Sequence, residues 1–92
     1  MRIEDSNRCF EVTGHYYMKE RGAFVIGNIL RGEFKIGMKL PAKDENEFLT
    51  ISSIEYLDNL AERKFWNALV FAEKPTFGYV EENFPVGMVI RL

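Results

Sequence analysis

The chain is predicted to be all-β, a small closed antiparallel barrel of six strands. Three observations predict it. Apolar and polar residues alternate with period two in short segments, the apolar runs are β-branched and aromatic yet too short for stable helices, and glycine, proline or charged turns separate them at regular spacing. Closing six such strands on themselves removes the edges that an open sheet would expose to aggregation.

The elements follow in order. Phe10, Val12 and Tyr16 alternate with Glu11, Thr13 and His15, which is strand chemistry, and the polar stretch Met18 to Gly22 then turns the chain. AFVIGNIL (23–30) is the second strand and Arg31-Gly32-Glu33 the next turn. KIGMKL (35–40) gives a third strand, closed by Pro41 and the polar loop AKDENE (42–47). FLTISSIEY (48–56), interrupted by Ser52 and Ser53, is the fourth. LDNLAERKF (57–65) is the one stretch with helical spacing, Leu57 and Leu60 being three apart, and is read as one or two helical turns. NALVFAE (67–73) is the fifth strand. Pro75 and Gly78 break KPTFGYVEENFPVG (74–87) into a loop, and MVIRL (88–92) closes the barrel. Residues 1–8 form an N-terminal lead and residues 9–92 a single barrel domain, since 92 residues cannot bury two cores.

Composition bounds the function. Apolar residues make up 47% and aromatic residues 14%, enough for a packed core. A net charge of −2 gives no global field towards nucleic acid or membrane. Locally, Lys19 to Lys43 holds six basic against two acidic residues, whereas Glu47 to the C-terminus holds four basic against seven acidic. The basic run fits an RNA-facing surface, or lysines that blunt sheet edges. A single cysteine, Cys9, forms no internal disulfide, and the segment MRIEDSNR is charged where a secretory leader needs an apolar stretch, so a cytoplasmic location is expected.

Gly22, Gly27, Gly32 and Gly37 recur every five residues and match the outer glycines of a phosphate loop. The residues that follow are Asn28-Ile29, Glu33-Phe34 and Met38-Lys39, so the Lys and hydroxyl that hold phosphate and magnesium are missing. Nucleotide hydrolysis is not expected. These glycines are read as backbone devices, Gly32 in a turn and Gly27 at a bend inside a strand.

GAFVIGNILRGEFKIGMKL (22–40) resembles the signature of domain 2 of elongation factor Tu and related translation GTPases. Gly22, Val25-Ile26-Gly27, Ile29, Gly32, Phe34, Ile36, Gly37 and Leu40 occupy its positions. Ile51 to Tyr56, Asn67-Ala68 and Phe84 to Ile90 resemble the family's later strands in order, so the similarity covers roughly residues 9–92. The resemblance implies a six-stranded barrel that contacts the aminoacyl end of tRNA or the small ribosomal subunit. Without a G domain ahead of it, GTPase activity is not expected. The sequence departs from the pattern at Met38, where an acidic residue is usual, at Asn28, where Arg is frequent, and at Lys64-Phe65-Trp66, which replaces an Ala-Gly-Asp turn. Glu55 matches an acidic position near the terminal adenosine of tRNA in elongation factor Tu, while Asp58 replaces a basic residue three places later.

The family pattern places Val25, Gly27 and Ile29 inside the barrel and Phe24, Ile26, Asn28 and Leu30 outside it. So apolar an outer stripe calls for a cover: a protein partner, a second copy, or the 74–87 loop with Phe77, Tyr79 and Phe84. Tyr16, Tyr17 and Trp66 suit base stacking, but large aromatics in so small a domain are expected in its core. His15 has no nucleophile or carboxylate at motif spacing, Glu55 and Asp58 suit a solvated edge, and Cys9 and His15 offer no metal spacing. The expected function is a non-catalytic binding module, with no cofactor and no enzyme activity, making protein contacts through Phe24, Ile26, Asn28 and Leu30. The alternative is an RNA- or ribosome-associated translation accessory domain using Lys19, Arg21, Arg31, Lys35, Lys39 and Glu55.

Overall fold

The computed structural model describes residues 7–44, 46–59 and 64–92. The elements run β1 (Cys9–Met18), β2 (Gly22–Arg31), β3 (Lys39–Pro41), β4 (Phe48–Asn59), β5 (Lys64–Phe71), α1 (Phe77–Asn83) and β6 (Val89–Arg91). The strands form one antiparallel sheet in the order β3-β4-β5-β2-β1-β6, nearly closed into a barrel. Each strand contributes to a single interior: Phe10 and Val12 from β1, Ala23 and Val25 from β2, Leu40 from β3, Leu49 and Ile51 from β4, Leu69 and Phe71 from β5, and Ile90 from β6. Phe34 enters from the β2–β3 connection and meets the Phe10 ring edge-on at 5.7 Å. The all-β barrel predicted from period two is what the chain forms.

The ladders carry three register shifts: at one, between Cys9 and Phe10, Leu30 is the extra residue of β2, and the other two are β-bulges closed by side-chain hydroxyls. The β1–β2 register slips between Val12 and Gly14, where Thr13 is the extra residue and its hydroxyl donates to the Ile26 carbonyl (3.2 Å). The β4–β5 register slips between Ile51 and Ser53, and there Ser52 Oγ donates to the Val70 carbonyl (3.3 Å). Glycine assists at the Thr13 bulge. Gly27 pairs with Val12 beside the bulge, and a Cβ at Gly27 would overlap the Glu11 carbonyl, so only glycine admits that close approach. Gly32 has φ +74°, as its expected turn requires.

Three sequence expectations are corrected. The 74–87 segment is not all loop, because Phe77–Asn83 is helical. Pro75 precedes the N-cap, Thr76, whose side chain accepts from the Tyr79 amide (3.2 Å), and Gly78 lies in the first turn without breaking it. Val80 and Phe84, four residues apart on one face, enter the barrel core, where Phe84 stacks on Phe71 with centroids 6.0 Å apart. The expected helical turns at 57–65 are absent from the described part: Leu57, Asp58 and Asn59 pair with Trp66, Phe65 and Lys64 as strand, and Leu60 to Arg63 lie outside the described residues. Finally, β3 is only Lys39–Pro41, because Ile36-Gly37 turns the chain and Pro41 sits within the strand instead of closing it.

The ends of the described chain are tied together. The Asn7 and Arg8 amides both donate to the Leu92 carbonyl (3.0 and 3.1 Å), and Arg8 Nε donates to the Glu33 carbonyl (2.8 Å). Buried Asn83 links α1 to the β3–β4 loop by accepting from the Lys43 amide and donating to the Tyr79 carbonyl, each 2.9 Å.

Candidate partner-binding face

Side chains alternate along β2 as its period requires: Ala23 and Val25 lie in the barrel core, while Phe24 and Ile26 join Ala68 and Val70 of β5 in a second apolar cluster on the outer face. Phe24 is only 5% exposed although it lies outside the barrel. Its cover is Tyr16, the cross-strand partner in the β1–β2 ladder, whose ring stacks on it at 5.8 Å. A hairpin centred on Glu20 pairs residue 16 with residue 24, so the position of the turn already held the signal for this stack.

The 74–87 segment does not cover this face. Its Val80 and Phe84 point into the barrel interior, and Phe77 packs edge-on against His15, an inward-facing residue after the bulge, at 6.0 Å. His15 Nε2 donates to the Phe84 carbonyl (2.6 Å), which gives the histidine a structural role. The tether therefore ties α1 to the inner side of β1 and leaves the outer side uncovered by the chain's own loop.

The outer cluster opens into a groove of about 320 Å³ with Phe24 and Ala68 as its floor and Tyr16, Met18, Leu57 and Glu55 around it. Tyr16, Met18 and Leu57 are 56%, 45% and 37% exposed. Alternation along β5 sets Trp66 on the same side as Ala68, where it pairs with Leu57. The expectation that Tyr16, Tyr17 and Trp66 would be core is corrected: Tyr16 is exposed on the outer face over Phe24, Trp66 is half-buried on that same face, and Tyr17 is exposed near the hairpin end of β1.

One polar feature borders the groove. Arg21, in the β1–β2 turn, hydrogen-bonds and ion-pairs with Glu55 of β4, and Ser53 Oγ donates to the same carboxylate oxygen (3.1 Å). The Arg21 bond holds the Glu55 carboxyl below its ordinary value, against a desolvation effect that pushes the other way, and the Ser53 bond adds to it. Arg21 is correspondingly raised, first by the bond to Glu55.

The four residues of the predicted contact stripe separate into two places. Phe24 and Ile26 belong to the outer cluster, and Asn28 continues the strand half-buried. Leu30, 56% exposed, borders a different hollow with Cys9, Arg31, Val89 and Arg91. The RNA-facing set is more dispersed. Lys19 and Arg21 are in the β1–β2 turn, Arg31 ends β2 about 30 Å along the strand at ~3.3 Å per residue, Lys35 lies in the β2–β3 connection, and Lys39 opens β3. Arg21 and Glu55 are brought together; Lys35 faces Glu33 at 3.7 Å, and Lys39 Nζ sits over the Phe48 ring at 4.5 Å. Sequence reasoning missed the part of the groove contributed by Met18, Leu57 and Ala68, because they come from three strands.

Comparison of the chain with family models, curated proteins and solved structures gave no match. What the fold and the face define is a class, a small β-barrel with an apolar groove on its outer wall. No helix among the described residues is long and apolar enough to cross a membrane.

Proposed function

We propose that this protein is a non-catalytic binding module, a barrel of the elongation factor Tu domain 2 kind, acting in the cytoplasm, that receives a polypeptide partner on the outer face of β1, β2, β4 and β5. The observation that carries the reading is a phenylalanine sealed on the exterior of a barrel, ringed by exposed Tyr16, Met18 and Leu57. Barrel exteriors in water are ordinarily polar, and a contiguous apolar patch rimmed by polar groups marks a contact surface. An apolar side chain of the partner, seated on Phe24 between Tyr16 and Leu57, would gain about 1.5–3 kcal/mol from full burial. The Arg21–Glu55 pair at the margin supplies polar rim contacts and register.

An RNA ligand is the competing reading. The dispersal of the basic residues over separate elements, with Arg21 held by Glu55, favours protein. A photo-crosslinking residue in place of Met18 tests this: a discrete protein adduct that disappears in Leu57→Glu supports the reading. Adducts indifferent to Leu57→Glu, or RNA binding that weakens steeply with salt and fails in Lys35→Glu and Lys39→Glu, would count against it.

A further inference from the structure

A second groove lies away from the outer face, where the β3–β4 loop meets the β5–α1 connection. It has a volume of about 460 Å³ and is lined by Glu47, Phe48 and Leu49 on one side and Glu73, Pro75 and Tyr79 on the other. The walls are mostly apolar, and the charges on them are acidic. Tyr79 hydroxyl donates to Glu47 Oε1 (3.1 Å), which leaves the other oxygen of that carboxylate for a ligand. Glu73 is fixed more firmly, with one oxygen accepting from the Thr50 amide (2.7 Å) and the other from the Thr50 hydroxyl (2.8 Å). A carboxylate has about four lone-pair sites, so Glu73 still has acceptor capacity after both bonds.

We propose that this groove binds an arginine side chain presented by a peptide segment of a partner, with the guanidinium between Glu47 and Glu73 and an adjoining apolar residue against Phe48 and Pro75. Guanidinium is the cation suited to such a place, because it is planar, is weakly hydrated, stacks on aromatic rings and donates two parallel bonds to a carboxylate. The protein already accommodates one cation here, since Lys39 Nζ lies 4.5 Å from the centroid of Phe48. The field is nonetheless acidic. Burial raises the Tyr79 hydroxyl above its ordinary value, and the Glu47 bond with the charges of Glu47, Asp44 and Glu73 raise it further. Against those three acids Lys39 supplies one opposing charge, and it lowers Glu73. The site shares no lining residue with the groove over Phe24, so either can fail without the other.

The test is an amide chemical-shift titration of the full chain at low ionic strength with acetyl-Arg-Leu-amide. Its controls are the same peptide with citrulline, which keeps the shape and loses the charge, and propylguanidinium, which keeps the single cation and loses the peptide. The inference expects shifts confined to residues 46–49 and 73–79, with the citrulline peptide and propylguanidinium each roughly tenfold weaker, the difference that about 1.4 kcal/mol makes. Glu47→Gln, which touches only the Tyr79 bond, should weaken the arginine peptide by a similar factor while leaving the thermal midpoint in place. Glu73→Gln should weaken the peptide by a similar factor but with a lowered thermal midpoint, because it also loses the charge-assisted bonds to Thr50. Equal binding of the citrulline peptide overturns the charge argument, equal binding of propylguanidinium overturns the peptide, and shifts absent or scattered over the barrel overturn the site.

Discussion

Gly27 shows how one residue sets the barrel's curvature. It stands opposite Val12 beside the bulge at Thr13, with the Glu11 carbonyl where a Cβ would be, so Gly27→Ala must push two paired strands apart. A loss of about 1–3 kcal/mol is expected, the usual cost of overpacking, measurable as a lower urea midpoint at unchanged slope. A midpoint equal to the native one would mean that the strands part freely. Glu73 makes a pH-dependent contribution. Desolvation pushes its carboxyl up, but the Thr50 amide and hydroxyl, its own amide and Lys39 together bring it below the ordinary value. A lowered folded value means that the stabilisation is complete above the unfolded glutamate range and is lost as pH falls through the folded value. The urea midpoint of Glu73→Gln should therefore lie below that of the native chain near neutral pH, and the two should converge in acid. A gap that widens on acidification contradicts the sign.

At the scale of elements, α1 is the piece that the sequence disguised. Its breakers, Pro75 and Gly78, fall just ahead of the N-cap and inside the first turn, where helices tolerate them, and Thr76 closes the turn through the Tyr79 amide. Thr76→Ala should cost about 0.5–2 kcal/mol by the loss of that cap, whereas Phe84→Ala should cost about 3–5 kcal/mol by emptying core space against Phe71. A Phe84→Ala cost no greater than the cap's would place α1 outside the core. The β4–β5 ladder was disguised in the opposite way. Leu57 and Leu60 suggested a helix by spacing, but Leu57, Asp58 and Asn59 continue β4 through pairing with Trp66, Phe65 and Lys64. One three-residue interval is too little to establish a helical face, and the cross-strand partner decides for the strand. Tyr56 and Phe65, which stack at 5.8 Å with 63% and 48% exposure, are such partners on the diagonal.

For the molecule as a whole, protection should follow pairing. In β2, Val25 to Gly27 are paired with β1 on one side and β5 on the other, while the β4–β5 ladder beyond Asn67 is paired with no third strand among the described residues. Amide hydrogen exchange should be slowest at Val25 to Gly27 of β2 and Asn67 to Leu69 of β5, and faster by orders of magnitude at Tyr56 to Asp58. Uniform exchange along β4 would show that the distal ladder opens only with the barrel. The sequence by itself determined the all-β class, the order of most strands, and the two faces of β2. Those follow from period two and from turn residues, which are local properties that any short window carries. It did not determine where the outer cluster ends, which strands line the grooves, or which side the 74–87 segment covers. Met18, Phe24, Leu57 and Ala68 meet only after register and bulges bring four strands together, and α1 turns inward because Val80 and Phe84 have a core to enter. Proximity between residues distant along the chain is a consequence of which strands pair and in what register, so only the tertiary structure decided it.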